Sequence, residues 1–257
     1  MDRILLIAST FCFLVGFAYT MYAMGAKIYR ASWYNFWAVA LGFVLQTAFL
    51  AVRGHELKHC PLTNLFEAFV FLSWSMVLLY MLVGSAYRLS LMGAFTSPLV
   101  FFLQVFALLV LPDKAGRSNL PQNPWLEAHA ALSMVAYGAF AVAAVVGAMY
   151  LVQERQLKSH QLGSIFFHFP SIANMAVALK RLIWVGFLIL TAGLATGFKV
   201  GAPVSKVILG LAVWLAYGTL LLVERKGRLS SRRVAALAVA TFGLTLLTLW
   251  GVNFISK

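Results

Sequence analysis

Residues 59–74 read HCPLTNLFEAFVFLSW, and from Leu65 they open an apolar run that continues to residue 87. A helix that crosses a bilayer takes roughly 20 mostly apolar residues, and this run is long enough. An imidazole, a thiol and a proline precede it, and one carboxylate, Glu67, lies inside it. Seven more apolar runs of similar length flank it, at 4–24, 33–52, 92–111, 126–152, 177–198, 206–223 and 234–254. The chain is 62% hydrophobic and 11% charged, with a mean hydropathy of +0.89. That composition excludes an ordinary soluble domain. The expected fold class is all-α, a polytopic membrane bundle of about eight transmembrane helices. Residues 1–257 are expected to form a single integral-membrane domain. The first run has a weak charged flank, Arg3 beside Asp2, so it is expected to be a retained helix rather than a cleaved signal peptide.

The net charge of +13 invites a nucleic-acid reading, but the positions of the charges speak against one. If the helices alternate, one side carries Lys27, Arg30, Arg88, Arg155, Lys158, Lys180, Arg181, Arg225, Lys226, Arg228, Arg232 and Arg233, twelve basic residues. The other side carries Arg3, Arg53, Lys58, Lys114, Arg117, Lys199, Lys206 and Lys257, which is eight. The richer side is expected to be cytoplasmic. Both termini are then outside, and the membrane is a bacterial-type inner (plasma) membrane crossed many times. The cluster at 225–233 can also contact anionic lipid. No internal repeat is evident.

Two connections are long. Residues 112–125 are expected as an outer loop, with Asn123 as N-cap and Pro124 as first residue of the fifth helix. Residues 154–180 are expected as an inner connection, and the aromatic stretch GSIFFHFPSIANM within it as a segment lying in the interface. Gly193 and Gly197 have the spacing of a small-residue packing face. Cys12 and Cys60 form no metal or disulfide pattern.

There is no catalytic triad, phosphate loop or paired-carboxylate site, so an assembly factor or subunit is expected rather than an enzyme. Among the seven acids only Glu67 falls well inside a run, and an intramembrane acid is a candidate functional group. Its plainer reading is a hydrogen bond to a neighbouring helix. His59 precedes the third helix and His129 lies one turn into the fifth, both on the outer side. A neutral imidazole there can ligate heme iron if a partner fixes its tautomer. Each can equally be an interfacial histidine. Trp125 adds an aromatic surface of the kind a flat apolar cofactor uses.

Four collinear blocks carry a family resemblance. HxPLTNLFEAxxFLSW, from His59 to Trp74, closely resembles the start of the third helix in the CcsA branch of the cytochrome c assembly superfamily of heme-handling membrane proteins. WLEAHAALSMVAYGAFAVAAVVGAMYL resembles the segment that carries that family's first external heme-ligand histidine. FPSIANMAVALKRLIWVGFLILTAGLATG resembles its PxLExxDxLxYRLIxxGFxLLTxGxxTG block. GVNF resembles its last-helix ending. The resemblance implies a heme-handling membrane protein like the membrane component of system II cytochrome c maturation, which binds or passes heme with a membrane or maturation partner. It implies that His59 matches a membrane histidine and His129 an external one, both as ligands of a b-type heme, and that Glu67 matches a motif glutamate. The chain departs from the family as well. Where a tryptophan-rich WGxxWxWDPKExW segment belongs, residues 198–209 read FKVGAPVSKVIL. Leu222 stands at the second membrane histidine, and Ile255, Ser256 and Lys257 follow GVNF where the second external one belongs. These departures resemble HemX-like members. They also support a rival expectation, a non-catalytic membrane anchor or regulatory subunit with vestigial heme sites.

Overall fold

The computed structural model describes residues 2–25, 33–87, 92–113, 123–159, 170–200 and 204–255. Among them the regular elements are eight helices and no strands: α1 (Asp2–Gly25), α2 (Trp33–Leu57), α3 (Leu65–Tyr87), α4 (Met92–Val110), α5 (Pro124–Lys158), α6 (Ile172–Val200), α7 (Val204–Arg225) and α8 (Ser231–Ile255). The chain is an all-helical polytopic membrane bundle. In lipid every backbone N–H and C=O must be satisfied within the segment, which is why such apolar runs become helices. Among the described residues seven of them are long and apolar enough to cross a membrane. α4, 19 residues from Met92 to Val110 with Pro98 inside it, rises about 28 Å, close to a hydrocarbon core of roughly 30 Å. Of the aromatic stretch expected in the interface at 163–175, residues 163–169 lie outside the described residues and the part from Ile172 belongs to α6; residues 114–122 of the expected outer loop also lie outside them. The expected inner connection is shorter than read from sequence, because α5 runs on to Lys158 and α6 begins at Ile172.

α5 is the spine. Its middle, from Ser133 to Met149, is buried at nearly every position. Side chains there are small, so neighbouring backbones come close, which is how helices associate where lipid removes the hydrophobic drive. A Cβ on Gly138 would stand 2.6 Å from the Ser75 Cβ of α3, so this glycine sets the α3–α5 contact. Outward-facing positions are apolar and bare, as for Leu109, Tyr22 and Leu247, which are 80, 73 and 68% exposed. They are the lipid face.

The bundle is built from two halves packed the same way, which corrects the expectation of no repeat. In the first half α1 packs on α2 and α4, α2 on α3 and α4, and α3 on α4. In the second, α5 packs on α6 and α8, α6 on α7 and α8, and α7 on α8. The same three-residue lock joins equivalent helices. Trp74 Nε1 donates to Thr47 Oγ1 at 2.9 Å, Thr47 Oγ1 donates to the Phe43 carbonyl, and Phe43 stacks on Trp74. Trp214 Nε1 donates to Thr191 Oγ1 at 2.9 Å, Thr191 Oγ1 donates to the Phe187 carbonyl, and Phe187 stacks on Trp214. The glycine before each phenylalanine repeats too. A Cβ on Gly42 would meet the Phe13 ring of α1 at 2.9 Å, and one on Gly186 the Phe140 ring of α5 at 2.6 Å. Phe13 thus corresponds to Phe140, Phe43 to Phe187 and Trp74 to Trp214.

Candidate functional site

The four candidate residues lie where α2 ends, α3 begins and α5 begins. α2 stops because Lys58 takes a left-handed conformation, φ 58°, a position usually given to glycine. The chain then folds back over α2 before entering α3. At that entry the Asn64 side chain accepts the Glu67 backbone N–H at 2.8 Å. Glu67 reaches back, accepting from the Thr63 N–H and hydroxyl, each at 2.8 Å. This is a variant of the reciprocal helix cap, and it explains why an acid stands in the first turn of a membrane helix.

The other Glu67 oxygen accepts from Arg53 Nε at 3.1 Å. Glu67 is fully buried. Arg53 also pairs with Asp2 at 2.7 Å and with Asp113, and Asp113 pairs with Arg3 at 2.8 Å. The carboxylate of Glu67 therefore ties α3 to α2, α1 and the segment after α4. One of its oxygens is engaged by Arg53 and the other by Thr63, and it does not line the cavity described next.

His129 lines a cavity of about 270 Å³ in the second half, walled by Leu126, Met134 and Tyr137 of α5, Leu190 and Gly197 of α6, Val207 of α7 and Leu249 of α8. Leu62, from the loop before α3, closes one side. His129 Nδ1 lies 2.7 Å from the Gly193 carbonyl oxygen. A carbonyl only accepts, so Nδ1 carries the proton and Nε2 keeps its lone pair. Gly193 and Gly197 make this possible. A Cβ on Gly197 would fall 2.7 Å from His129 Nδ1, so the ring lies directly against the α6 backbone. The small-residue spacing of α6 is thus the bed of the imidazole. The N-cap of α5 is as read: Asn123 Oδ1 accepts from Trp125 N at 3.1 Å.

His59 stands in the loop. Its Nδ1 lies 3.2 Å from the Cys60 carbonyl oxygen, and its Nε2 is buried with no hydrogen-bond partner. A lone pair left so costs about 1–3 kcal/mol, which a ligand on Nε2 would offset. His59 and His129 lie on one end of the bundle, and Cys60 N–H donates to Glu127 Oε2 at 3.2 Å to join their two segments. His59 does not line the His129 cavity, so the two imidazoles do not share it. Trp125 is 47% exposed and stands outside the cavity, with Lys199 Nζ 4.0 Å from its ring centre. His55 is exposed. The Cys60 thiol is pushed up to about 11 by burial first, then by the charges of Glu127 and Glu67.

Sequence reasoning missed the partners of both histidines and the relation of the halves. In the register of the repeat, His129 corresponds to Asp2, Gly197 to Arg53 and Val207 to Glu67. Where the first half holds an arginine with its carboxylates, the second holds an imidazole on a glycine beside an apolar cavity. The only sequence signal was a short echo, GFVLQTAFL at 42–50 and GFLILTAGL at 186–194.

The family described as Cytochrome C assembly protein matches residues 62–257. Similar curated proteins include one named cytochrome c biogenesis protein CcsA from Synechococcus sp. (strain CC9605), 31% identical over 84% of this chain and 82% of its own length. A protein of the same name from Synechococcus sp. (strain CC9902) is 29% identical with the same coverage. Another of that name, from Guillardia theta, is 26% identical over 90% of this chain and 86% of its own length.

Proposed function

The chain belongs to the cytochrome c assembly protein family, and from that premise we propose that it is a heme-handling membrane component of cytochrome c maturation. In this reading it takes heme as cargo at its outer end, acts with a membrane or maturation partner, and is one integral domain in a bacterial-type plasma membrane with both termini outside. The observation that carries the reading is the hydrogen bond from His129 Nδ1 to the Gly193 carbonyl. It orients the ring, fixes the tautomer and leaves Nε2 as a lone-pair donor beside an apolar cavity. His59, with Nδ1 on a carbonyl and a buried, unpartnered Nε2, is the second candidate ligand.

The residues present fit the group. The His129 imidazole beside apolar walls is a donor set that would suit a b-type heme, and His59 stands outside that cavity. Cys12 and Cys60 are too far apart in sequence for a thioether attachment motif. When bound, heme supplies the iron that accepts a nitrogen lone pair, and its porphyrin becomes the cargo. The cavity, about 270 Å³, lies just below the roughly 300–1,000 Å³ of small-molecule sites, so it would enclose only part of a macrocycle, which would suit a cargo that is passed on. Lys199, held over Trp125, supplies a cation at the rim for a carboxylate side chain.

The test is a hemin titration of the detergent-purified chain followed at the Soret band. His129→Gly lowers occupancy at least about tenfold, and added imidazole restores it. Occupancy unchanged in His129→Gly would overturn the assignment. One observation favours a second reading, an anchor or regulatory subunit with vestigial heme sites. Leu222 stands where the resemblance puts a membrane histidine and is 61% exposed, so that position offers no ligand. Absence of any Soret band at saturating hemin would select this reading.

A further inference from the structure

At the end opposite the histidines, the described basic residues are Arg155, Lys158, Lys180, Arg181, Arg225, Lys226, Arg228, Arg232 and Arg233. The carboxylates at that end are Glu154 and Glu224. Both are already engaged. Glu154 pairs with Lys158 at 2.8 Å and Arg232 at 3.5 Å, and Glu224 pairs with Lys180 at 2.5 Å. Arg225, next to Glu224, is exposed and has no ion pair among the described residues.

Arg225 closes one end of a groove of about 280 Å³ between α6 and α7. Its floor is aromatic: Trp184 and Phe187 of α6 and Trp214 of α7. Phe187 can lie there because α7 offers Gly218, where a Cβ would meet the ring at 3.2 Å. Leu215 and Leu222, 55 and 61% exposed, form the outer lip on the lipid-facing side. From Arg225 to Trp214 the groove follows α7 for about 16 Å, close to the thickness of one leaflet of a roughly 30 Å hydrocarbon core. A cation at the headgroup level above a leaflet-long apolar trough has the dimensions of one phospholipid molecule.

We propose that this α6–α7 groove binds one anionic phospholipid, with an acyl chain over Phe187 and Trp214 and the phosphate on Arg225. The charge decides the occupant. The protein supplies no spare carboxylate at this end, whereas an anionic headgroup brings one net negative charge to a cation lacking a counter-ion. A zwitterionic lipid offers a phosphate too, but its own ammonium competes for it. The inference does not rest on the heme reading.

Native mass spectrometry of the full chain in detergent, titrated with phosphatidylglycerol or phosphatidylcholine, tests it. One phosphatidylglycerol is expected to be retained with about fivefold preference over phosphatidylcholine. Arg225→Gln is expected to abolish that preference. Arg228→Gln, which removes the same charge outside the groove, changes it less than twofold. Leu222→Trp, which fills the groove from its exposed lip without touching the core, lowers retention of both lipids. Equal losses in Arg225→Gln and Arg228→Gln would reduce the effect to diffuse surface charge and overturn the site. So would equal retention of the two lipids, or retention unaffected by Leu222→Trp. Helicity of each variant, read by circular dichroism, separates loss of binding from loss of fold.

Discussion

His129 and Cys60 show how a single side chain acquires its chemistry from what touches it. An imidazole in a membrane helix is ambiguous until its second nitrogen has a partner, and the Gly193 carbonyl at 2.7 Å removes the ambiguity. His129→Gln keeps a polar group against that carbonyl but lacks the nitrogen lone pair, so it is expected to preserve the fold and lose heme. Retention of the wild-type Soret band by this variant would refute ligation through Nε2. Cys60 is set by burial and two carboxylates, which push its thiol up to about 11. At pH 8 Cys60 is therefore held almost wholly as the thiol, so maleimide should label Cys60 far more slowly than a cysteine placed at exposed Ser230. The rate should climb as pH approaches 11, and Glu127→Gln should bring the climb to lower pH by removing one negative charge. The folded state holds this proton more tightly than the unfolded chain does. Stability linked to Cys60 therefore falls as pH rises from about 8.5 towards 11. Labelling of Cys60 at the Ser230→Cys rate at pH 8 would contradict this.

At the scale of elements, α6 serves α5 through its glycines and α3 is capped through its acid. Gly197→Ala places a methyl 2.7 Å from His129 Nδ1, and the ring must leave the α6 backbone. Heme retention is expected to drop severalfold, whereas Gly243→Ala on α8, where a Cβ meets nothing within 4 Å, should leave it unchanged. Equal behaviour of the two variants would remove α6 from the site. Arg53→Ala removes the guanidinium that Asp2, Glu67 and Asp113 share and leaves the buried Glu67 carboxylate without its cation. Breaking such a cluster from one side costs on the order of 3–5 kcal/mol, read as a lowered unfolding temperature in detergent. Asp2→Asn, at the more exposed edge of the cluster, should cost less. What was legible at this scale followed from local chemistry. Asn123 before Pro124 announced a cap, and the spacing of Gly193 and Gly197 announced a close approach. Glu67 could be seen as unusual but not explained, because Arg53 lies fourteen residues away on another helix. Helix bounds drifted where polar residues continue a helix out of the apolar zone, as from Gln153 to Lys158.

For the whole molecule, hydropathy alone carried the helix count and the membrane class, since only helices satisfy the backbone of such runs in lipid. The fourfold arrangement repeated in α1–α4 and α5–α8 was not legible. Gly, Phe, Thr, Ala and Leu agree between 42–50 and 186–194, but lipid-facing positions tolerate any apolar residue and blur the rest. Orientation rests on the twelve-to-eight division of basic residues. Cysteines at Ser118 and Ser230 should label from outside and inside intact cells respectively, and outside labelling of Ser230 would reverse the topology. The tryptophan-rich segment that the family resemblance places at 198–209 is replaced by FKVGAPVSKVIL, so this chain alone is expected not to restore c-type cytochromes to cells lacking their system II membrane component. Full restoration would place heme presentation on other residues. Whether His59 and His129 hold heme is read from the heme-to-protein ratio of the purified chain. His59→Ala with His129→Ala is expected to abolish the Soret absorbance per protein, while His160→Ala is expected to preserve it. An unchanged ratio in the double variant would contradict heme ligation by the pair.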